Sequence, residues 1–319
     1  MQPLCYLPYQ RDTKYVLLHF ISEKLSQEEH RMSQPPLSPA HLHHFCLRTT
    51  QLESQAEWYR KQLEMDAEKL AEGSVWLTSS QRNLILSGNC GTNGDRIERG
   101  RLRFAAYALG TPEQVPYFDA WIKKRGVERS EKKSPIFAND QISIEDPDGN
   151  TFVFGVPNKK ETKTPDRLPG RLQHIGICTP DIDRLKEFYI DVIGFRLSDV
   201  VSNDKGTISA CFLRSDHEHH DLALFKASSS RFDHQCYETT CWNDIRDWGD
   251  HFSKTQTRVE WGAARHGAGN NLFIFVRDLD GNPVEMSAEL ETRRYDDKPG
   301  IWKTEERTLN LWGSAWSRD

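Results

Sequence analysis

The chain repeats itself at an offset of 130 to 132 residues, and this repeat limits its possible folds more than any other feature. The run Leu-His-His-Phe-Cys-Leu at 42–47 resembles Leu-Gln-His-Ile-Gly-Ile at 172–177, and helix-like stretches follow at 52–63 and 182–193. Asp-Pro-Asp-Gly-Asn at 146–150 matches Asp-Leu-Asp-Gly-Asn at 278–282, and both are turn sequences that enter an alternating apolar strand. Two homologous modules, at 41–158 and 170–290, are therefore predicted.

Each module divides again into two similar units. Strand-like runs at 101–109 and 231–238 precede helix-like stretches at 113–124 and 242–253, and shorter strand runs follow, such as 141–144 and 272–276. The unit is one strand, one helix and about three strands, and it occurs four times. This order predicts an α+β fold and not the strict alternation of strand and helix that builds a doubly wound sheet.

Residues outside the repeats show no clear period. Residues 1–40 end in a proline-rich stretch and are interpreted as a flexible N-terminal extension; alternatively, Met32 is the true start. A polar segment at 159–169 links the modules, and 291–319 form a C-terminal tail.

Composition narrows the class of protein. Because the formal net charge is only -5 and the chain lacks an apolar run of the roughly 20 residues that a membrane span needs, we expect neither a nucleic-acid partner nor a membrane. Seven cysteines without a Cys-x-x-Cys pair favour a reducing cytoplasm over a disulfide framework or a zinc-thiolate site.

Three residues of the second module could together bind a metal. His174 lies on its first strand, His234 on the first strand of the next unit, and Glu285 interrupts the apolar last strand. Two imidazoles and one carboxylate suit iron(II) and leave three coordination positions open. Taken singly, each histidine could instead be a hydrogen-bonded core residue, and the glutamate could be partly exposed.

The first module keeps only one of these three residue types at the matching positions. They are His44, Phe104 and Val153, so this copy keeps the frame but lacks two of the three candidate ligands. We therefore expect one metal site, in the C-terminal module.

The sequence from 172 to 290 resembles a known family. His174 to Phe195, with Thr-Pro-Asp at 179–181 and Ile-Gly-Phe at 193–195, is similar to the opening of a vicinal oxygen chelate module. The stretches 262–267, 271–277 and 278–285 resemble type I extradiol ring-cleavage dioxygenases, such as catechol 2,3-dioxygenases. The resemblance implies four β-α-β-β-β units that pair into two open barrels, of which the C-terminal barrel alone holds metal.

The resemblance also implies roles for single residues. His174, His234 and Glu285 fall at the positions of the family's iron ligands. His220 matches an acid/base histidine near the oxygen site, although it could instead belong to a solvated polar loop. His266 matches a histidine that contacts a substrate oxygen, although it could instead stabilise a turn. Where the family usually has a substrate-binding tyrosine, ten residues before the ligand glutamate, this chain has Phe275.

The resulting hypothesis is an iron(II)-dependent enzyme that opens a catechol-type ring beside its two hydroxyl groups with molecular oxygen. Manganese(II) suits the same ligands, and family members are often homo-oligomers. One alternative is another metal-dependent member of the superfamily, such as an isomerase or a lyase. The second is a non-catalytic protein that binds a small aromatic molecule.

Overall fold

A computed structural model describes residues 37–71, 73–79, 81–88, 102–158 and 167–316. Most of the N-terminal extension, including Met32, and residues 159–166 of the linker lie outside these ranges. Within them, no helix is both long and apolar enough to cross a membrane.

The first module consists of two units that share one sheet. Its elements in chain order are β1 (Ala40–Arg48), α1 (Leu52–Gln62), β2 (Asp66–Leu70), β3 (Ser74–Ser79), β4 (Arg82–Ser87), β5 (Leu102–Leu109), α2 (Gln114–Lys124), β6 (Ile142–Glu145) and β7 (Thr151–Gly155). The seven strands have the order β2-β3-β4-β1-β5-β7-β6. After α2 the second unit contributes two strands, and an isolated bridge between Arg129 and Ile144 takes the place of the third.

The second module repeats this plan with complete units. Its elements are β8 (Arg171–Thr179), α3 (Ile182–Glu187), β9 (Arg196–Ser202), β10 (Ile208–Arg214), β11 (Leu222–Lys226), β12 (Arg231–Glu238), α4 (Trp242–Lys254), β13 (Trp261–Arg265), β14 (Leu272–Arg277) and β15 (Pro283–Ala288). The last turns of the helix expected at 182–193 are a π-helix, Phe188–Ile193, which ends at Gly194 with a left-handed φ of 99°. The predicted α+β fold with two repeated modules is confirmed.

The tail adds two further elements to the second module. β16 (Gly300–Lys303) pairs in parallel with β9, and α5 (Glu306–Leu309) follows it. The sheet therefore has nine strands in the order β13-β14-β15-β12-β8-β11-β10-β9-β16. The two units meet at the antiparallel pair β8 and β12, in the middle of this sheet.

Both modules carry β-bulges at corresponding positions. The β8–β12 ladder passes over Gln173 and Asp233, and the β1–β5 ladder passes over His43 and Arg103. Because a bulge inserts an unpaired residue, two consecutive side chains can point to the same face of the sheet. The repeat therefore extends to irregularities of the backbone, and in the second module both bulges lie next to a candidate ligand.

The two modules pack together through an exchange of buried contacts. The Tyr59 hydroxyl on α1 donates to Asp278 in the turn before β15, at 2.9 Å. Reciprocally, the Tyr189 hydroxyl of the second module donates to Asp146 in the turn before β7, at 2.7 Å. All four side chains are buried, and burial raises the pKa of Asp278 to about 6 although Asn282 and Tyr59 hydrogen-bond to it.

Candidate metal centre

Three neighbouring strands bring the candidate ligands together. Nε2 of His174 on β8 lies 2.9 Å from Nε2 of His234 on β12, and the Oε2 atom of Glu285 on β15 lies 3.5 and 3.6 Å from these nitrogens. Two ligand atoms about 2.1 Å from one ion at right angles would be roughly 3 Å apart, so the spacing suits a single cation. Among the residues that the structure describes, this is the one group of three or more His, Cys, Asp or Glu with such convergent donor atoms.

The hydrogen bonds behind the two histidines determine which ring nitrogens face the centre. Nδ1 of His174 contacts Oε1 of Gln173, and Nδ1 of His234 lies 2.5 Å from Oδ1 of Asp233. Both partners are acceptors at these atoms, so each Nδ1 carries the proton and each Nε2 presents a lone pair. Two lone pairs that face each other at 2.9 Å beside a carboxylate repel unless a cation lies between them. The donor set therefore fits a divalent metal.

Burial and neighbouring charges set the protonation of these ligands. All three are at least 97% buried. Burial alone would raise the pKa of Glu285, but the neighbouring imidazoles of His174 and His266 outweigh this effect and hold that pKa well below its ordinary value. Burial lowers the pKa of His174 to about 4, despite the opposing effect of Glu285. A carboxylate and neutral imidazoles are the forms that bind metal.

A glycine makes room for the second histidine. Gly176 on β8 pairs with His234 on β12. A Cβ atom at position 176 would lie 2.5 Å from Cε1 and Nδ1 of His234 and 3.2 Å from the Phe225 ring. The position of the His234 ring therefore depends on the absence of a side chain here.

The other three residues predicted for the site line the same pocket. The His220 ring lies 4.3 Å from that of His174, and Nε2 of His266 lies 3.4 Å from Oε1 of Glu285. Phe275 on β14 is paired with Glu285 on β15, and its ring centre is 5.8 Å from that of His234. Hence one pocket contains all six candidate residues.

Apolar and small side chains form the remaining walls of the pocket. Together with the amide side chain of Asn271, these residues are Phe212, Ala223, Phe225, Ala268, Thr308 and Leu309. No function was expected for the tail, yet Thr308 and Leu309 of this segment line the pocket and the Leu309 carbonyl contacts Nδ1 of His266. Because the tail lies outside the internal repeat, a comparison of the two modules could not identify these residues.

Sequence reasoning also missed the partners of the ligands. Gln173 and Asp233 precede His174 and His234, and the alternation of side chains along a strand would place them on the opposite face. Asn271 donates to Glu285 at 3.3 Å and to Ser287 at 2.8 Å. A polar residue directly before each ligand histidine was the available signal.

The corresponding positions of the first module form a hydrogen-bonded core. His44 is fully buried, its Nε2 lies 2.7 Å from the Ser134 hydroxyl, and its ring contacts Phe104 edge-on. Val153 pairs with Ala106 as Glu285 pairs with Cys236. Here an aromatic ring and a valine occupy the places of two ligands.

The fold and the position of this pocket agree with comparisons to known proteins. The sequence pattern of the Glyoxalase/Bleomycin resistance protein/Dioxygenase superfamily matches residues 41–154 and 171–286, so the chain belongs to that superfamily. The resemblance to vicinal oxygen chelate proteins is thereby confirmed.

Individual relatives are dioxygenases. Metapyrocatechase 2 of Cupriavidus necator is 31% identical over 168 residues, which are 46% of this chain and 52% of that protein, so the chain spans about half of its length. A manganese-dependent 2,3-dihydroxybiphenyl 1,2-dioxygenase of Geobacillus genomosp. 3 is 28% identical over 37% of this chain and 36% of its own. The structure of homoprotocatechuate 2,3-dioxygenase from Arthrobacter globiformis superposes with a TM-score of 0.71 at 23% identity, covering 86% of this chain and 88% of that one, which is a likeness of fold.

Proposed function

We propose that the protein is an iron(II)-dependent extradiol dioxygenase, which opens a catechol-type ring beside its two hydroxyl groups with molecular oxygen. The observation that carries the proposal is the pair of Nε2 lone pairs facing the Glu285 carboxylate in a pocket that also contains His220 and His266. The relatives named for catechol cleavage support the reaction class.

His174, His234 and Glu285 would hold the metal. Iron(II), when bound, supplies Lewis acidity toward the two catechol oxygens and the one-electron chemistry that dioxygen requires. The fully buried Glu285 carboxylate would offset one of the two positive charges of the cation. The hydrogen bond from Asn271 fixes the orientation of this carboxylate.

His220 would exchange protons with the substrate. Burial, and secondarily the neighbouring His174, holds its pKa well below the ordinary value, so the ring is neutral at physiological pH and can accept a proton. The ring is 97% buried, which supports this role over that of a residue in a solvated polar loop.

His266 would orient the substrate. Its Nδ1–H donates to the Leu309 carbonyl, so Nε2 carries a lone pair and can accept a hydrogen bond from a catechol hydroxyl. The Phe212 and Phe225 rings would exclude water and contact the aromatic ring.

The decisive experiment starts from iron-loaded protein under anaerobic conditions. Catechol is added, air is admitted, and oxygen uptake and a yellow ring-fission product are recorded. The proposal predicts both, in equal amounts. Tight anaerobic binding without oxygen uptake would support the non-catalytic alternative, and conversion of a substrate without oxygen would support an isomerase or a lyase.

The choice of metal is tested separately. We propose iron(II) as the native metal because two imidazoles and one carboxylate suit it, although manganese(II) accepts the same ligands. Reconstitution of metal-free protein with each ion should give the higher turnover with iron. Higher turnover with manganese would reassign the metal without changing the reaction.

A further inference from the structure

A chain of polar side chains leads away from the pocket behind His220. Nδ1 of His220 lies 2.9 Å from Nδ1 of His219, and Nε2 of His219 lies 3.1 Å from Oδ2 of Asp199 on β9. All three side chains are at least 97% buried. Neither His219 nor Asp199 belongs to the metal ligands or to the pocket lining.

The charge on Asp199 is stabilised by several donors. Trp302 Nε1 on β16 donates to Oδ2 at 2.6 Å, and the Arg293 guanidinium donates to Oδ1 at 2.6 Å. Burial would raise the pKa of Asp199, but the neighbouring His219, the hydrogen bond from Trp302 and the charge of Arg293 hold it below its ordinary value. The side chain is therefore a carboxylate at neutral pH.

This carboxylate determines the tautomer of both histidines. Nε2 of His219 lies 3.1 Å from Oδ2 of Asp199, although an N–H there would not be well aligned with this oxygen. A negative oxygen at this distance favours a proton on Nε2 over a lone pair. Nδ1 of a neutral His219 is then an acceptor, so the proton shared between the two Nδ1 atoms belongs to His220. Nε2 of His220, on the other side of a ring that lines the pocket, is left with a lone pair.

We propose that Asp199 and His219 form a relay that keeps Nε2 of His220 ready to accept a proton from the substrate, which rests on the proposed function. When Nε2 accepts that proton, Nδ1 of His220 can release its own proton to Nδ1 of His219. His220 stays neutral beside the metal centre, and the positive charge rests on His219 next to the Asp199 carboxylate. Asp199 and His219 are thus positioning residues, and the proton count is balanced.

The relay is tested with Asp199→Asn. Asparagine keeps the shape of the side chain but removes the charge that holds the proton on Nε2 of His219. We expect kcat of the iron-loaded enzyme to fall about 10- to 100-fold, while the affinity for catechol under anaerobic conditions and the iron content change less than about threefold. Equal loss of affinity and kcat would overturn the proposal, because it would indicate a disrupted pocket.

Trp302→Phe is the matched control. It removes a different donor to the same Asp199 oxygen and leaves the two histidines in place. This variant should keep kcat within about threefold of the wild type, because the Arg293 guanidinium still donates to Asp199 and keeps it a carboxylate. A loss of kcat as large as that of Asp199→Asn would assign the effect to the packing of the tail, against the relay. If Asp199→Asn is insoluble, His219→Leu replaces it with the same expectation.

A second measurement is independent of dioxygenase activity. Nitrogen-15 spectra of the full-length, zinc-loaded protein, with His220→Phe for assignment, report which nitrogen of His220 is protonated. We expect Nδ1–H in the wild type and in Trp302→Phe, and a shift toward Nε2–H in Asp199→Asn. Nε2–H in the wild type, or no change in Asp199→Asn, would overturn the relay. If the iron-loaded wild type cleaves no catechol, the proposed function fails, whereas these spectra still decide the tautomer.

Discussion

Phe275 occupies the position at which the family resemblance predicts a substrate-binding tyrosine. Its ring contacts that of His234 edge-on and also contacts the rings of Trp261 and Trp316, at 5.2 and 5.3 Å between ring centres. In Phe275→Tyr the hydroxyl would bring one hydrogen-bond donor toward the substrate, worth about 1.5–3 kcal/mol when the acceptor is charged. We expect unchanged iron content and a change of about 10- to 100-fold in one kinetic step or in substrate preference.

Stopped-flow absorbance and a panel of substituted catechols measure this change. No difference in any step would show that position 275 does not contact the substrate. An inactive wild type that becomes active in the variant would favour the binding-protein alternative.

Burial of Glu238 should make the free energy of unfolding fall as the pH rises. Burial raises its pKa to about 7, although the Leu290 N–H donates to it at 3.0 Å. Between the ordinary value of 4.5 and 7, the folded state holds more protons than the unfolded state, so the free energy of unfolding falls as the pH rises. Glutamine cannot ionise. The free energy of unfolding of Glu238→Gln, relative to that of the wild type, should therefore rise by on the order of 2 kcal/mol from about pH 5 to about pH 8.

Urea denaturation at the two pH values measures this difference. Glu187→Gln, at an exposed helix position, is the control and should change by less than about 0.5 kcal/mol between them. A constant difference for Glu238→Gln would mean that the carboxyl is ionised without penalty.

At the residue scale, the sequence predicted the ligands better than their partners. A comparison of the two modules singled out His174, His234 and Glu285, because Phe104 and Val153 replace the latter two in the first copy. The roles of Gln173 and Asp233 were not predicted, although each is a polar residue directly before a ligand histidine, because the bulges beside them leave no mark in the alternation of apolar residues.

Among the elements, the central pair β8 and β12 determines the geometry of the centre. Gly176→Ala places a Cβ 2.5 Å from the His234 ring, so the ring must move while the strands stay paired. We expect a loss of about 10- to 100-fold in metal affinity with the fold retained. Competition with a chelator measures the affinity, and circular dichroism checks the fold.

Gly249→Ala is the control for this substitution. Gly249 lies in α4, and a Cβ there would meet no atom within 4 Å. Its metal affinity should equal that of the wild type. Wild-type affinity in Gly176→Ala as well would show that the His234 ring has more freedom than the register of β8 and β12 implies.

Elements within the repeats were predicted and those outside them were not. The helix at 242–253 and the strand at 231–238 follow from periodicity, and the structure has Trp242–Lys254 and Arg231–Glu238. β16 could not be predicted, because a four-residue strand with two exposed or half-exposed apolar residues has no distinctive pattern and gains its stability from pairing with β9.

Across the whole molecule, the two tyrosine–aspartate contacts hold the modules together. Tyr59→Phe and Tyr189→Phe each remove one hydrogen bond to a buried carboxyl group of the other module, and Tyr59→Phe also removes the one that Gln235 donates to the hydroxyl. Each should lower the free energy of unfolding by about 1.5–3 kcal/mol. Tyr295→Phe, at a side chain that is 53% exposed, is the control and should change it by less than about 0.5 kcal/mol.

Chemical denaturation followed by tryptophan fluorescence measures these differences. Costs below about 0.5 kcal/mol for both buried tyrosines would mean that other contacts, such as the hydrogen bond from Gln55 to Asp278, join the modules instead. The sequence predicted the two modules through their repeat. It could not predict this exchange, because Tyr59 and Tyr189 resembled apolar residues of a helix face and their partners lie in turns 219 and 43 residues away.

The central claim is that one divalent metal, held in the C-terminal module, carries the reaction. The most direct test is iron content per chain together with catechol-dependent oxygen uptake, for the wild type, His234→Ala, Glu285→Ala and the first-module control His44→Ala. We predict one iron and full uptake in the wild type, loss of both in the two ligand variants, and one iron per folded chain in His44→Ala. Two tightly bound irons per chain, or wild-type uptake in His234→Ala, would contradict the account.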